Sequence, residues 1–143
     1  MDEFASPFER LGSRAAIARL VERFYQIMDS DPAYAELRAM HGPELAPMVA
    51  SLTDFLVAWT GGPRDWFEQR PGACIMSMHV VLPGLARTTA TQWIDAMSRA
   101  MGEIQPGDAQ VRKLMLEALG RMCDGMAARA AHLASQRETL AQA

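Results

Sequence analysis

The chain has 143 residues, which is the length of one domain and enough to bury a substantial core. Half of its residues are apolar, which excludes a disordered chain, yet no apolar run approaches the ~18 residues that a membrane span needs. The 14 basic and 17 acidic residues form no basic stripe, so the composition argues against nucleic acid and membrane as partners.

The N-terminal part of the chain predicts two helices. Apolar residues at helical spacing predict the first over residues 14–29, and Gly12-Ser13 before it supplies a chain break and an N-cap. Asp31-Pro32 then places proline directly after a capping residue, which is typical of a helix start. This second helix is short and is expected to end near Met40.

The middle of the chain predicts one long helix and one very short helix, separated by a loop. The apolar stripe from Leu45 to Trp59 predicts the long helix, which ends at Gly61-Gly62-Pro63. Residues 61–73 carry three glycines and two prolines and predict a long ordered loop. A short apolar helix is expected over about 74–82, because Pro83 disfavours helix at the residue before it.

Two more helices complete the chain. Thr89 with Gln92 has capping-box spacing and predicts a helix through about Glu103. Asp108, in a Pro-Gly-Asp turn, predicts the N-cap of a final helix over about 109–136. The inward side of that helix is predicted to consist of Val111, Leu114, Met115, Ala118, Met122 and Met126.

No segment of useful length alternates as a strand would, so the predicted fold class is all-α. The chain is expected to be one domain over residues 1–143, with a disordered tail after about residue 137. A bundle of this size with one very short helix often holds a ligand in its core. The pattern therefore suggests a pocket without naming its occupant.

The two cysteines and the N-terminus bear on compartment. Cys74 and Cys123 are too few for a disulfide framework or a zinc cluster, and we expect both to be buried apolar thiols. The acidic start, Met-Asp-Glu-Phe, lacks the basic region of a signal peptide. A cytoplasmic protein is expected.

His79 is the residue whose surroundings most favour chemistry. It lies in the apolar segment 74–82, with no carboxylate within one helical turn along the sequence. An unpaired polar group in such a place costs on the order of 1–3 kcal/mol, so the imidazole needs a partner. Two interpretations follow from the residues alone: a core histidine that donates to a backbone carbonyl, or a ligand of iron.

Six fragments, in their order and separation, resemble group II of the truncated haemoglobin family over about residues 7–128. They are Pro-Phe-Glu-Arg-Leu-Gly (7–12), Arg-Phe-Tyr (23–25), Leu-Arg-Ala-Met-His (37–41), Trp-Thr-Gly-Gly-Pro-Arg (59–64), Met-His (78–79) and Gln-Trp-Ile-Asp-Ala-Met (92–97). The resemblance implies a globin-like, truncated two-over-two helical sandwich. It also implies haem b, iron protoporphyrin IX, as the cofactor.

Carried over position by position, the resemblance implies that His79 is the proximal iron ligand. Trp93 and Tyr25 match residues that point an N–H and an O–H at the distal ligand, and His41 matches a residue over the haem edge. Further cofactor contacts are implied for Met48, Leu52 and Phe55 on the distal wall, for Trp66 in the loop, and for Met78 and Met97.

The sequence departs from the family pattern at three places. The family has two glycines where this chain has Gly12-Ser13, and one extra residue lies between His79 and Trp93. The family often has basic residues before the proximal histidine that pair with the haem propionates, but Met76-Ser77-Met78 stands there. Arg70 and Arg87 are candidate substitutes.

The resemblance implies a haem protein that binds oxygen or another diatomic gas ligand. It leaves peroxidase-like or nitric oxide detoxifying oxidoreductase activity open, together with an unidentified reductase partner and a monomeric or homodimeric state. One alternative is a second iron ligand, the Met48 thioether or the His41 imidazole. Another is a globin-fold sensory or interaction module with weakened or lost haem binding, suggested by the missing basic residues.

Overall fold

The structure is a computed structural model, and it describes residues 5–72 and 74–142. No strand occurs in these residues, so the predicted all-α class is confirmed. They form one 3-10 turn, Pro32–Tyr34, and the helices α1 Pro7–Leu11, α2 Ser13–Ser30, α3 Ala35–Ala39, α4 Ala46–Trp59, α5 Asp65–Gln69, α6 Ile75–Val80, α7 Arg87–Ile104 and α8 Ala109–Gln142.

Four long helices form the body of the molecule. α2 packs against α4 and α7, α7 packs against α8, and the short α6 lies on α8. The apolar stripe of α2 faces this centre, where Leu20 and Phe24 are fully buried together with Leu56 of α4 and Met97 of α7. The predicted two-over-two helical sandwich is therefore the observed architecture.

Two of the predicted helix caps are confirmed. The Asp31 carboxylate accepts a hydrogen bond from the Ala33 N–H at 2.9 Å, at the start of the 3-10 turn. The Asp108 carboxylate accepts from the Val111 N–H at 2.8 Å and also binds the Arg10 guanidinium at 3.0 Å. These two bonds lower the pKa of the Asp108 carboxyl, the backbone bond contributing most.

The predicted N-cap at Ser13 is wrong. Gly12 and Ser13 both have left-handed backbones, with φ of 103° and 64°, and no side chain caps α2. A Cβ at Gly12 would lie 2.9 Å from the Ala16 Cβ, so glycine is needed there on two grounds. At Ser13 the chain places a side chain in a conformation that costs an L-residue roughly 1 kcal/mol.

The predicted loop over residues 61–73 contains a helix. Asp65–Gln69 forms α5, and it packs against α4. Trp66 on α5 is buried, and its ring lies edge-on to Phe55 with 5.1 Å between ring centroids. Packing of this aromatic side chain stabilises a helix too short to be stable by itself.

Thr89 and Gln92 do not form a capping box with Thr89 as the cap. The N-cap of α7 is Ala86, three residues earlier than predicted, and the Thr89 hydroxyl accepts from the Ala86 N–H at 3.0 Å. The Gln92 side chain turns away from this end of the helix and bonds to α3 instead. The Thr89/Gln92 spacing predicted a helix in the right part of the chain, but the predicted hydrogen-bond partners of both side chains are wrong.

The face and the end of α8 also differ from the prediction. Val111, Met115 and Leu119 are buried at four-residue spacing, whereas Leu114, predicted to face inward, is 51% exposed. The helix continues to Gln142, so the end predicted near residue 136 comes too early. The added segment is rich in Ala, Leu, Gln and Glu, which favour helix.

The cysteines are less buried than expected. Cys74 is exposed, so its predicted burial is wrong, and it directly precedes α6. Cys123 on α8 is half-buried, and burial raises the pKa of its thiol to about 11. The thiol of Cys123 is therefore protonated at neutral pH.

Candidate functional site

His79 lies in the last turn of α6 and is half-buried. Its Nδ1 lies 2.7 Å from the Ile75 carbonyl oxygen, and since a carbonyl only accepts, Nδ1 carries the proton. In the neutral imidazole the lone pair is then on Nε2, for which the described residues supply no hydrogen-bond partner. This is the tautomer that a metal-binding histidine needs, with the ring held by a backbone bond.

Tyr25 and Trp93 come from different helices and meet through a third aromatic ring. Phe24 lies 4.9 Å from Tyr25 on α2 and 5.0 Å from Trp93 on α7, measured between ring centroids. The sequence analysis missed Phe24, although its place in the fully buried stripe of α2 indicated a core contact. The packing of α2 on α7 thus brings both predicted distal donors to one region.

The Tyr25 hydroxyl has no protein partner among the described residues. The residue is only 4% exposed, and burial raises its pKa to about 12, so the hydroxyl keeps its proton at neutral pH. No side-chain oxygen or nitrogen in this part of the chain is both fully enclosed and unpartnered. The hydroxyl oxygen is therefore not fully enclosed, so it can donate to a ligand.

His41 stands beside Tyr25. Its ring lies edge-on to the Tyr25 ring at 5.8 Å between centroids, and its Nδ1 lies 2.9 Å from the Leu37 carbonyl oxygen. Burial, with a smaller contribution from the Arg38 charge, lowers the pKa of His41 and favours the neutral imidazole. The structure therefore joins these side chains in a row, in which His41 contacts Tyr25, and Phe24 contacts both Tyr25 and Trp93.

Some of the residues predicted to contact the cofactor are exposed, and the others are partly or fully buried. Met48 on α4 and Met78 on α6 are 40% and 44% exposed, and Val81 and Leu82, just after α6, are exposed as well. Leu52 on α4 is half-buried and packs against the core. The buried members of the predicted set are Phe55, Trp66 and Met97.

The two candidate propionate partners have other contacts. The Arg70 guanidinium lies 4.7 Å from the centre of the Trp66 ring and donates to the Trp66 carbonyl. Arg87 forms an ion pair with Asp124 at 2.6 Å, on the exposed surface between α7 and α8. Arg64, which the sequence analysis did not single out, lies 4.8 Å over the Phe67 ring on α5.

The described residues lack two kinds of feature, a multi-residue metal cluster and a membrane-spanning helix. They contain no group of three or more His, Cys, Asp or Glu side chains that could hold a metal ion. None of their helices is long and apolar enough to cross a bilayer.

Comparisons with known proteins agree with this fold. The family model of the bacterial-like globins matches residues 6–128. Among solved structures, a group II 2-on-2 haemoglobin from Agrobacterium tumefaciens is 28% identical, with a TM-score of 0.81 over 87% of this chain and 95% of that one.

A second solved structure supports the fold at lower identity. It is a cold-adapted truncated haemoglobin from Pseudoalteromonas haloplanktis, 23% identical, with a TM-score of 0.79 over 85% of this chain and 97% of that one. Among curated protein sequences, none matches. The family match spans most of the sequence and the fold match is nearly complete, so the chain belongs to the bacterial-like globin family and is a truncated globin similar to those of group II.

Proposed function

We propose that this globin binds haem b through His79 and holds oxygen or another diatomic ligand beneath Tyr25 and Trp93. Haem is the cofactor that the family implies, and it supplies an iron centre that binds such ligands. The observation that carries the proposal is the His79 tautomer: the Ile75 carbonyl takes the Nδ1 proton and leaves the Nε2 lone pair available.

The surrounding residues fit a haem. Met48, Met78, Val81 and Leu82 are exposed apolar side chains, which a bound porphyrin could cover. A haem iron needs only one protein ligand, so a single histidine suffices.

The distal residues act as hydrogen-bond donors. The Tyr25 hydroxyl is protonated at neutral pH and unpartnered within the described chain, and the Trp93 indole can only donate. Donors held in place by packing stabilise a ligand that gains negative charge, because they need no reorganisation when it binds. Slow ligand release is the expected consequence, which suits redox chemistry with a reductase better than transport.

The test is an absorption spectrum of the purified protein, with pyridine haemochrome analysis to identify the porphyrin. We expect one haem b per chain and a Soret band that is lost in His79→Ala but kept in His132→Ala, a change of an exposed histidine on α8. A five-coordinate ferrous spectrum without added ligand would exclude Met48 and His41 as second ligands.

One observation favours the second candidate, a module with weakened haem binding. Arg87 is paired with Asp124 and Arg70 lies on Trp66, so both substitute cations already have partners. Protein that stays colourless after addition of haemin would support this module and overturn the haem proposal. Oxidoreductase activity, the reductase, the monomeric or dimeric state and the cytoplasmic location remain predictions.

A further inference from the structure

The Gln92 side chain forms hydrogen bonds between α7, the helix that carries Trp93, and α3, the helix that precedes His41. Its side-chain oxygen accepts from the Leu37 N–H at 3.0 Å, and its amide nitrogen donates to the Glu36 carboxylate at 2.7 Å. The first N–H groups of a helix have no partner within the helix, and α3 has only five residues. One side chain on α7 therefore satisfies and fixes the start of α3.

The backbone of the same residue, Leu37, continues the connection toward the distal site. The Leu37 N–H donates to Gln92, and the Leu37 carbonyl accepts from the His41 Nδ1–H. The proton on Nδ1 leaves the Nε2 lone pair of the neutral imidazole free of the backbone. Both the ring orientation and the tautomer of His41 thus depend on the position of the Leu37 carbonyl, which follows the N–H that Gln92 holds by one residue along the backbone.

His41 has room to turn if it is not held. Its ring contacts the Tyr25 ring, and the residue also lines a surface cavity of about 430 Å³. Met28 and Arg38 line the same cavity. An imidazole between a packed ring and an open space needs a fixed hydrogen bond to keep one orientation.

We propose that Gln92 is a positioning residue of the distal site, which sets the orientation and tautomer of His41 through the backbone of Leu37. His41 in turn packs edge-on against the ring of Tyr25, whose hydroxyl has no partner among the described residues. Gln92 lies on α7 next to Trp93, so the bond links the helix that carries Trp93 to α3, which ends two residues before His41. The inference rests on the proposed function for its ligand readout, but not for its structural readouts.

The experiment compares wild type with Gln92→Met, which has similar length and no hydrogen-bonding group. We expect exchange of the Leu37 amide proton to rise roughly five- to tenfold, because one hydrogen bond is lost. Nitrogen NMR should show both neutral tautomers of His41 instead of one. Oxygen dissociation should become about threefold to tenfold faster.

Two further variants separate positioning from general loosening. The exchange E36Q/Q92E rebuilds the contact in reverse, since the new amide at position 36 can donate to the new carboxylate at position 92, which still accepts from Leu37. It should restore the wild-type His41 tautomer and oxygen dissociation. Arg99→Met breaks a different bond of α7, to Asp31, and should lower stability while leaving His41 unchanged.

The outcomes are decisive in each direction. A Gln92→Met protein that is less stable but keeps a single His41 tautomer and wild-type oxygen dissociation would overturn the proposal. If the purified wild type holds no haem, the proposed function fails on its own. Amide exchange and the His41 tautomer, measured on the same purified protein, then still decide whether Gln92 positions His41.

Discussion

Tyr25 and Tyr34 are both buried, but their hydroxyls differ in hydrogen bonding. Removing the two hydroxyls should therefore have opposite effects on the free energy of unfolding. Tyr25 is 4% exposed and its hydroxyl has no partner in the described chain. Tyr34 is 2% exposed, and its hydroxyl donates to the Asp95 carboxylate at 2.5 Å and accepts from Arg99 at 3.1 Å. The same Tyr→Phe change can therefore be compared at a site open for a ligand and at a site already used by the fold.

In Tyr25→Phe no protein hydrogen bond is lost, so the free energy of unfolding should stay unchanged or rise by up to about 1 kcal/mol. Oxygen dissociation should become roughly ten- to a hundredfold faster, because a bond to a charged acceptor contributes about 1.5–3 kcal/mol. In Tyr34→Phe the free energy of unfolding should fall by about 1–2 kcal/mol, since Asp95 is exposed and water weakens its bond. Oxygen dissociation should not change there.

The assays are urea unfolding followed by circular dichroism, and stopped-flow replacement of oxygen by carbon monoxide. If Tyr25→Phe loses stability as Tyr34→Phe does and keeps the wild-type dissociation rate, the Tyr25 hydroxyl is a structural group. The reasoning that places it over the ligand would then be refuted.

Two further predictions concern the fold, and each has a matched control. Ser13→Gly relieves the left-handed strain at φ 64° and should raise the free energy of unfolding by roughly 0.5–1 kcal/mol, whereas Ser98→Gly within α7 should lower it by about as much. A loss in both proteins would contradict the strain at Ser13. Leu119→Ala should cost about 3 kcal/mol, because this side chain is 3% exposed, and Leu114→Ala should stay within about 0.5 kcal/mol. Equal losses in urea unfolding would show that the assigned face of α8 is wrong.

Local patterns predicted most of the fold, and the misses share a cause. The stripe of α2 and the caps at Asp31 and Asp108 involve neighbours within one or two turns, so spacing alone reveals them. Gln92 also has correct local spacing for a cap, but its partners lie in α3, more than fifty residues away. Local spacing carries no information about such a partner, because only the packing of α3 on α7 creates it.

The error at Leu114 has a related origin. Leu114 and Met115 are adjacent apolar residues, and both fit a helical stripe if the stripe is drawn wide enough. Which of them faces the core depends on the rotation of α8 against α7, and the structure selects Met115 and Leu119. A 34-residue helix with apolar residues on several sides does not specify that rotation from its own sequence.

The sequence offered two interpretations of His79, and the hydrogen bond seen in the structure is compatible with both. A lone imidazole in an apolar segment suggested either a donor to a backbone carbonyl or a ligand of iron, and the residues alone could not separate the two. The ring has two nitrogens, and the carbonyl of Ile75 occupies only Nδ1. The backbone bond therefore does not compete with coordination at Nε2. It fixes the tautomer and the ring direction that coordination requires, so the first interpretation is a physical condition for the second.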